Sequence, residues 1–355
     1  MKKLSLLLSL AICFCSLAFF GGCAEQVDSL DCYYFNTQIH LEVYQGKLQQ
    51  NTKDEIKSLL RDLEKEFSVN NSTSFTSRFN SASLGESFAI SQRAQLILGK
   101  AQEYYEWTDK KFNTAVYPLS TLWQFSPTFP GENFTPPTTQ SIDQLLTSGT
   151  TDFESVLAVK EGNIEKLKAG AKIDFGGLLK GYACDKIAEI LLNEGFSKGY
   201  VNVGGSSLRL LNVSSLGIVH PRKNGQIISI KSPLVNLSVS TSGDYQRFYE
   251  YQGNRYSHVI DSQTGAPSQT GVQSATVVLE DGCFADAVST ALCLLEYKGN
   301  QNDSLIVMMN KIISQYPSAQ IYVAIENQTT KSIVTNKKKG VDFTLLDTSY
   351  SVVEI

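Results

Sequence analysis

Between Thr52 and Phe67 the chain reads TKDEIKSLLRDLEKEF, with Ile56, Leu59, Leu60, Leu63 and Phe67 recurring at three- and four-residue steps. That spacing predicts an amphipathic helix whose charges form a solvated face, opened by a capping box of Thr52 and Glu55. Before it, YFNTQIHLEVYQG alternates apolar and polar positions as a strand does, and after it NNSTSFTSRFNSAS is polar and reads as a loop. ISQRAQLILGKAQEYYEWT predicts a second helix, QFSPTFPGENFTPPTTQ an exposed connection rich in Pro and Thr, and SIDQLLTSG a short capped helix. Past Phe153 the pattern becomes strand-turn-strand, interrupted by helices at GGLLKGYACDKIAEILLNEG and FADAVSTALCLLEY. Helices and strands mix without the strict alternation of a doubly wound sheet. The expected fold class is therefore α+β.

The first 23 residues change the picture of where this body sits. MKKLSLLLSLAICFCSLAFFGGC is two lysines, an apolar run from Leu4 to Phe20, then Gly21-Gly22-Cys23. It is too short and wrongly flanked for a permanent membrane helix and reads as a secretory signal over residues 1–22. Small residues before a cysteine are the bacterial setting for lipid attachment, so Cys23 is the expected anchor, with plain cleavage and secretion as the alternative. Residues 23–355 then form one domain, with room for two subdomains, tethered outside the cytoplasmic membrane. Of the seven cysteines, Cys32, Cys184, Cys283 and Cys293 remain, with no metal-type pair spacing, and are expected to be small buried apolar residues. Hydrophobic residues make up 42% of the chain, charged residues 19%, and the net charge is −4, which is ordinary globular composition. No basic stripe with interleaved aromatics occurs, which argues against a nucleic-acid partner.

Four segments carry candidate chemistry. In KIDFGGLLKGYACD a strand is expected to end at Asp174, followed by two glycines and a helix with Lys180 in its first turn. Its N-terminal N–H groups and Lys180 could hold a phosphate, or the glycines could be turn geometry alone. GYVNVGGSSLRLL reads as a hairpin turning at Gly204-Gly205, or a backbone wall for a flat ring. STSGDYQRFYEYQGNRYSHVIDSQTGAP contains His258, one of three histidines, after a hydroxyl-rich turn at 240–244 and a hairpin turning near Gly253. His258 is a structural hydrogen-bonder or a general base. In GCFADAVSTALCLL, Asp286, Ser289 and Thr290 share one helix face at i, i+3 and i+4. They are capping residues or hard oxygen ligands suited to Mg²⁺.

In this order, Asp174 to Asp185, Val201 to Gly205, Thr241 to Pro267 and Ala285 to Leu292 resemble the signatures of the ApbE-type FAD:protein FMN transferases. Weaker marks lie at Phe35 to Thr37, Phe67 to Asn80 and Phe112 to Trp123, so the resemblance spans nearly the whole mature chain. It implies Mg²⁺-dependent transfer of the FMN half of FAD to a Thr or Ser hydroxyl of an acceptor protein, with release of AMP. It further implies that Gly177 (through its carbonyl), Asp286, Ser289 and Thr290 hold the metal, and that His258 is the base. Phe35, Asn70, Lys111, Phe112, Asn113, Asp174, Lys180 and Ile260 would line the flavin nucleotide, while Asp244 and Asp261 fix the turns around His258. Acceptors in such a family are membrane or extracytoplasmic redox subunits. The chain departs from the family pattern at Asn70, usually aromatic, at Asn113, usually Asp, and at Tyr117, usually Gly. These departures suggest a looser flavin grip and FAD hydrolysis as a side activity. The alternative functions are an FAD pyrophosphatase and a non-catalytic flavin-binding lipoprotein.

Overall fold

The computed structural model describes residues 26–126, 134–327, 330–337 and 341–355. The signal segment and Cys23 lie outside them. Nine strands form one large sheet whose spatial order follows the chain: β1 (Asp28–Tyr34), β2 (Thr37–Val43), β3 (Gly199–Val203), β4 (Ser207–Leu211), β5 (Leu237–Gly243), β6 (Val272–Leu279), β7 (Gln320–Glu326), β8 (Lys331–Thr335) and β9 (Ser351–Glu354). Every neighbouring pair is antiparallel except β8 with β9. Together with the helices this gives the α+β class read from the sequence.

Because successive strand residues face opposite sides, the sheet serves two cores. On one side Val239, Val278, Tyr322 and Ile333 pack against a three-stranded sheet of Val213–Val219, Gln226–Leu234 and Asp342–Leu345. On the other, Ile39, Leu41, Val201, Ala275 and Val277 pack under the helices, chiefly α1 (Gln50–Phe67), α2 (Leu179–Asn193) and α3 (Gly282–Leu292). Among the described residues no helix is long and apolar enough to cross a membrane. Cys184, Cys283 and Cys293 are buried and Cys32 partly so, and among the described residues none of the four forms a disulfide.

Several local expectations shift. The first helix starts two residues before the predicted capping box, which does not form. Thr52 lies inside the helix on its apolar face, buried, its hydroxyl without a partner. The polar stretch after it folds into a short helix, Phe75–Ser81, capped by Ser74. The segment before Asp174 is not a strand. Instead the Asn80 amide grips the Ile173 backbone from both sides, donating to its carbonyl at 2.9 Å and accepting from its N–H at 2.7 Å. The Pro/Thr-rich connection, expected to be exposed, buries two of its aromatic residues: Phe134 stacks on Tyr249 at 3.9 Å between ring centroids, and Phe125 lies 5.0 Å from the same ring. Residues 127–133 between them lie outside the described residues. Finally, 240–243 is the end of strand β5 rather than a turn.

Candidate active site

The site is assembled where the start of α2 crosses the first turns of α3. Gly181 makes this crossing possible, because a Cβ there would stand 2.0 Å from the Gly282 carbonyl oxygen. At that distance the Asp286 carboxylate reaches across to the start of α2. It accepts the Gly181 N–H at 3.1 Å and approaches the Lys180 ammonium at 3.4 Å, while the Ser207 hydroxyl lies 3.3 Å from its other oxygen. The helix N-terminus expected to attract a phosphate therefore already holds an anion at that N–H. Burial pushes the Asp286 carboxyl above its ordinary range, and Lys180, the Gly181 N–H and Ser207 pull the other way.

Around this carboxylate lie the other oxygen donors. Lys180 also donates to the Gly176 carbonyl at 2.8 Å, and Gly176 in turn donates its N–H to Asp174 Oδ1 at 2.9 Å. Gly177 is placed so that a Cβ would meet the Phe112 ring at 3.1 Å and the Thr290 hydroxyl at 3.9 Å. Thr290 is half-buried and lies near Gly177, whereas Ser289 is fully buried. Both hydroxyls share the same two partners, the Ser242 hydroxyl and the Asp286 carbonyl. Asp286, Thr290 and the Gly176-Gly177 backbone thus form a hard-oxygen donor set around a spot where a protein cation, Lys180, already sits. That chemistry fits Mg²⁺. No group of three or more His, Cys, Asp or Glu capable of holding a metal occurs among the described residues, so a cation here depends on hydroxyl and carbonyl oxygens beside the single Asp286 carboxylate.

His258 follows a hairpin of Phe248–Tyr251 and Asn254–Ser257 that turns at Gln252 and Gly253, both at positive φ, as a two-residue turn of that hand requires. Its Nδ1 lies 3.2 Å from the Arg247 carbonyl and, in the neutral ring, donates to it. The proton is thereby fixed on Nδ1, and Nε2 has no hydrogen-bond partner among the described residues. Close packing around the ring, then the Arg247 cation and then Lys180, push its pKa down to about 3, against the opposing Arg247 carbonyl. A neutral imidazole with an open Nε2 is a proton acceptor. The turns beside it are held by Asp244, bridged twice to Arg222 at 2.7 and 2.6 Å, and by Asp261, which pairs with Lys111 at 2.7 Å and accepts the Gln263 N–H.

The remaining predicted residues divide. Phe112 backs Gly177, and Lys111 joins the site's rim through Asp261 and Gln263. Asn113 is turned inward: its amide donates to the Thr151 carbonyl and the Ser262 hydroxyl, and its oxygen caps the next turn at Ala115. Ile260 is buried with Leu119, Trp123 and Tyr249. Phe35 sits at positive φ in the β1–β2 turn with its N–H on Glu64, and Asn70 is exposed after α1. Neither hydrogen-bonds to the α2–α3 cluster among the described residues, although Phe35 packs against the apolar core beneath those helices. Tyr117 is buried with its hydroxyl near Ser126 and the Asp174 carboxylate, so the departure from glycine places a phenol beside the site. Sequence reasoning missed Gly181, Ser207, Ser242 and Arg247. Only Gly181, in the first turn of a helix with a second glycine ahead of a carboxylate in α3, carried a readable signal.

Fold and site together define an α+β enzyme in which a hard-oxygen cluster and a neutral imidazole flank one lysine. The model of the ApbE family matches residues 35–302, and the chain belongs to that family. It is 28% identical over 264 residues to the FAD:protein FMN transferase of Treponema pallidum, covering 69% of this chain and 71% of that protein. To the protein of the same name from Vibrio cholerae it is 27% identical over 315 residues, covering 84% and 90%. Among solved structures, the ApbE protein of Thermotoga maritima superposes with a TM-score of 0.72 at 25% identity, over 84% of this chain and 94% of that one. The flavin transferase ApbE of Vibrio cholerae gives 0.72 at 22% identity, over 90% and 97%.

Proposed function

We propose that this chain is an FAD:protein FMN transferase that moves FMN from FAD to a Thr or Ser hydroxyl of an acceptor protein and releases AMP. The observation that carries the proposal is the neutral His258 with its proton fixed on Nδ1, near the Lys180 that also touches Asp286. A hydroxyl nucleophile is weak until its proton has somewhere to go. His258 Nε2 takes the acceptor's hydroxyl proton as the oxygen forms a bond to the FMN phosphorus. The bond from that phosphorus to the bridging oxygen breaks, and AMP departs with the bridging oxygen. Lys180 sets a positive charge near the pyrophosphate, and its bond to the Gly176 carbonyl keeps the ammonium at the turn. Phe112 closes the floor beneath Gly177. Mg²⁺ would be held by Asp286, Thr290 and the Gly177 carbonyl, with Ser289 behind Thr290, and would supply neutralisation of phosphate charge.

An anchor at Cys23 and an acceptor outside the cytoplasm, on or near the membrane, belong to the same proposal. Incubation with FAD, Mg²⁺ and a Thr-containing acceptor peptide tests it by mass spectrometry. A peptide heavier by one FMN with matching AMP supports transfer. AMP without acceptor reveals hydrolysis, and FAD bound but intact under every condition leaves a flavin-binding protein.

A further inference from the structure

Strand β5 carries a hydroxyl stripe on the side facing α3. Ser238 bonds Asp185 at 2.8 Å, Ser240 is buried without a partner, and Ser242 meets α3 itself. Ser242 Oγ lies 2.9 Å from Ser289 Oγ and 3.0 Å from Thr290 Oγ1, and those two oxygens lie 3.0 and 3.2 Å from the main-chain oxygen of Asp286. Three hydroxyls hold three protons. One chain that uses all of them runs from Ser289 to Ser242, from Ser242 to Thr290, and from Thr290 to the Asp286 carbonyl. The reverse chain is equally complete. In both, the Thr290 proton is committed to a protein acceptor and a lone pair is left toward Gly177. Without Ser242, both α3 hydroxyls have only the Asp286 carbonyl, which also receives the helix's own N–H four residues on. One of them must then turn elsewhere.

We propose that Ser242 is a positioning residue that fixes the rotamer of Thr290 and keeps its proton on a protein acceptor, so that a lone pair faces a divalent cation held by Asp286 and Gly177. This rests on the metal reading given above. Groups that orient a metal's ligands typically change affinity by about 10- to 100-fold when removed.

The test uses the full chain and Mn²⁺ as the probe, with free ion counted by electron paramagnetic resonance and no turnover involved. Ser242→Thr and Ser242→Val have the same shape and differ only in the hydroxyl, so any cost of the added methyl is common to both. Melting of each without metal reports folding. The expected result is saturable binding to the parent, near-parent binding to Ser242→Thr, and binding at least about tenfold weaker to Ser242→Val at equal melting temperature. Equal affinity of the two variants overturns the role of Ser242 while leaving the metal site intact. Absence of saturable binding in the parent overturns the metal reading, and the inference with it.

Discussion

A base whose proton affinity is held well below that of a free imidazole leaves a signature in the pH dependence of kcat/KM, which reports the free enzyme. An ordinary histidine, with a pKa near 6.5, is about three-quarters neutral at pH 7 and only about a tenth neutral at pH 5.5. A reaction needing it neutral would lose most of an order of magnitude over that interval. His258, pushed down to about 3 by close packing and the Arg247 and Lys180 cations, remains almost wholly neutral at pH 5.5. At saturating Mg²⁺ the expected kcat/KM for FMN transfer to a peptide changes less than about twofold between pH 7.5 and 5.5 through this group. An acid limb centred at or above pH 6.5 in the parent, absent from a His258→Gln variant with residual activity, would refute the reasoning.

The same depressed pKa makes a stability statement with a definite sign. The unfolded chain binds a proton at this histidine below about pH 6.5 and the folded chain does not. The contribution is therefore fully present above 6.5 and is lost as pH falls toward about 3. Thermal melts of the parent should fall more steeply over that window than those of His258→Gln.

Other substitutions read different parts of the site. His258→Ala should lower the transfer rate by about 10²–10⁴ while FAD binding, followed by fluorescence, is retained. Asp286→Asn removes the buried charge from the oxygen cluster. It should abolish saturable Mn²⁺ binding and cut transfer by about 10²–10³, and unchanged binding would sink the ligand role. Gly181→Ala drives a methyl against the Gly282 carbonyl and should cost about 1–3 kcal/mol in denaturant melts, with α2 and α3 forced apart. Lys111→Met leaves Asp261 without its 2.7 Å partner and should cost about 1.5–3 kcal/mol; no loss in a urea titration would show that the pair is dispensable.

Much of this arrangement was legible in the chain, for reasons that differ by element. The 3.6-residue recurrence of Ile56, Leu60, Leu63 and Phe67 marks α1 because each of those residues is buried. The glycine pairs and the hydroxyl-carboxylate run of α3 were legible as unusual polar groups in apolar surroundings. Thr52 was misread because local capping chemistry cannot reveal that the helix starts earlier. Phe125 and Phe134 were misread because flanking Pro and Thr say nothing of what a distant hairpin brings to them. Asn113 was placed at the flavin by its motif neighbours, and its partners Thr151 and Ser262, 38 and 149 residues away, are set by tertiary structure that no local pattern shows. Ser242 read as a turn hydroxyl, since only the strand pairing of β5 with β4 and β6 shows which way it points.

The crossing of α2 and α3 explains why so few residues can do so much here. A buried carboxylate is costly unless paired and hydrogen-bonded. Asp286 meets both conditions through one helix start: the Gly181 N–H supplies the bond and the adjacent Lys180 the charge. Lys180 is in turn only a quarter exposed and shared with the Gly176 carbonyl, so the cation and the turn that would contact the nucleotide are mechanically joined. His258 feels that same ammonium. A pyrophosphate drawing Lys180 toward itself would relieve Asp286 of a competing cation and leave its carboxylate freer to take a divalent one.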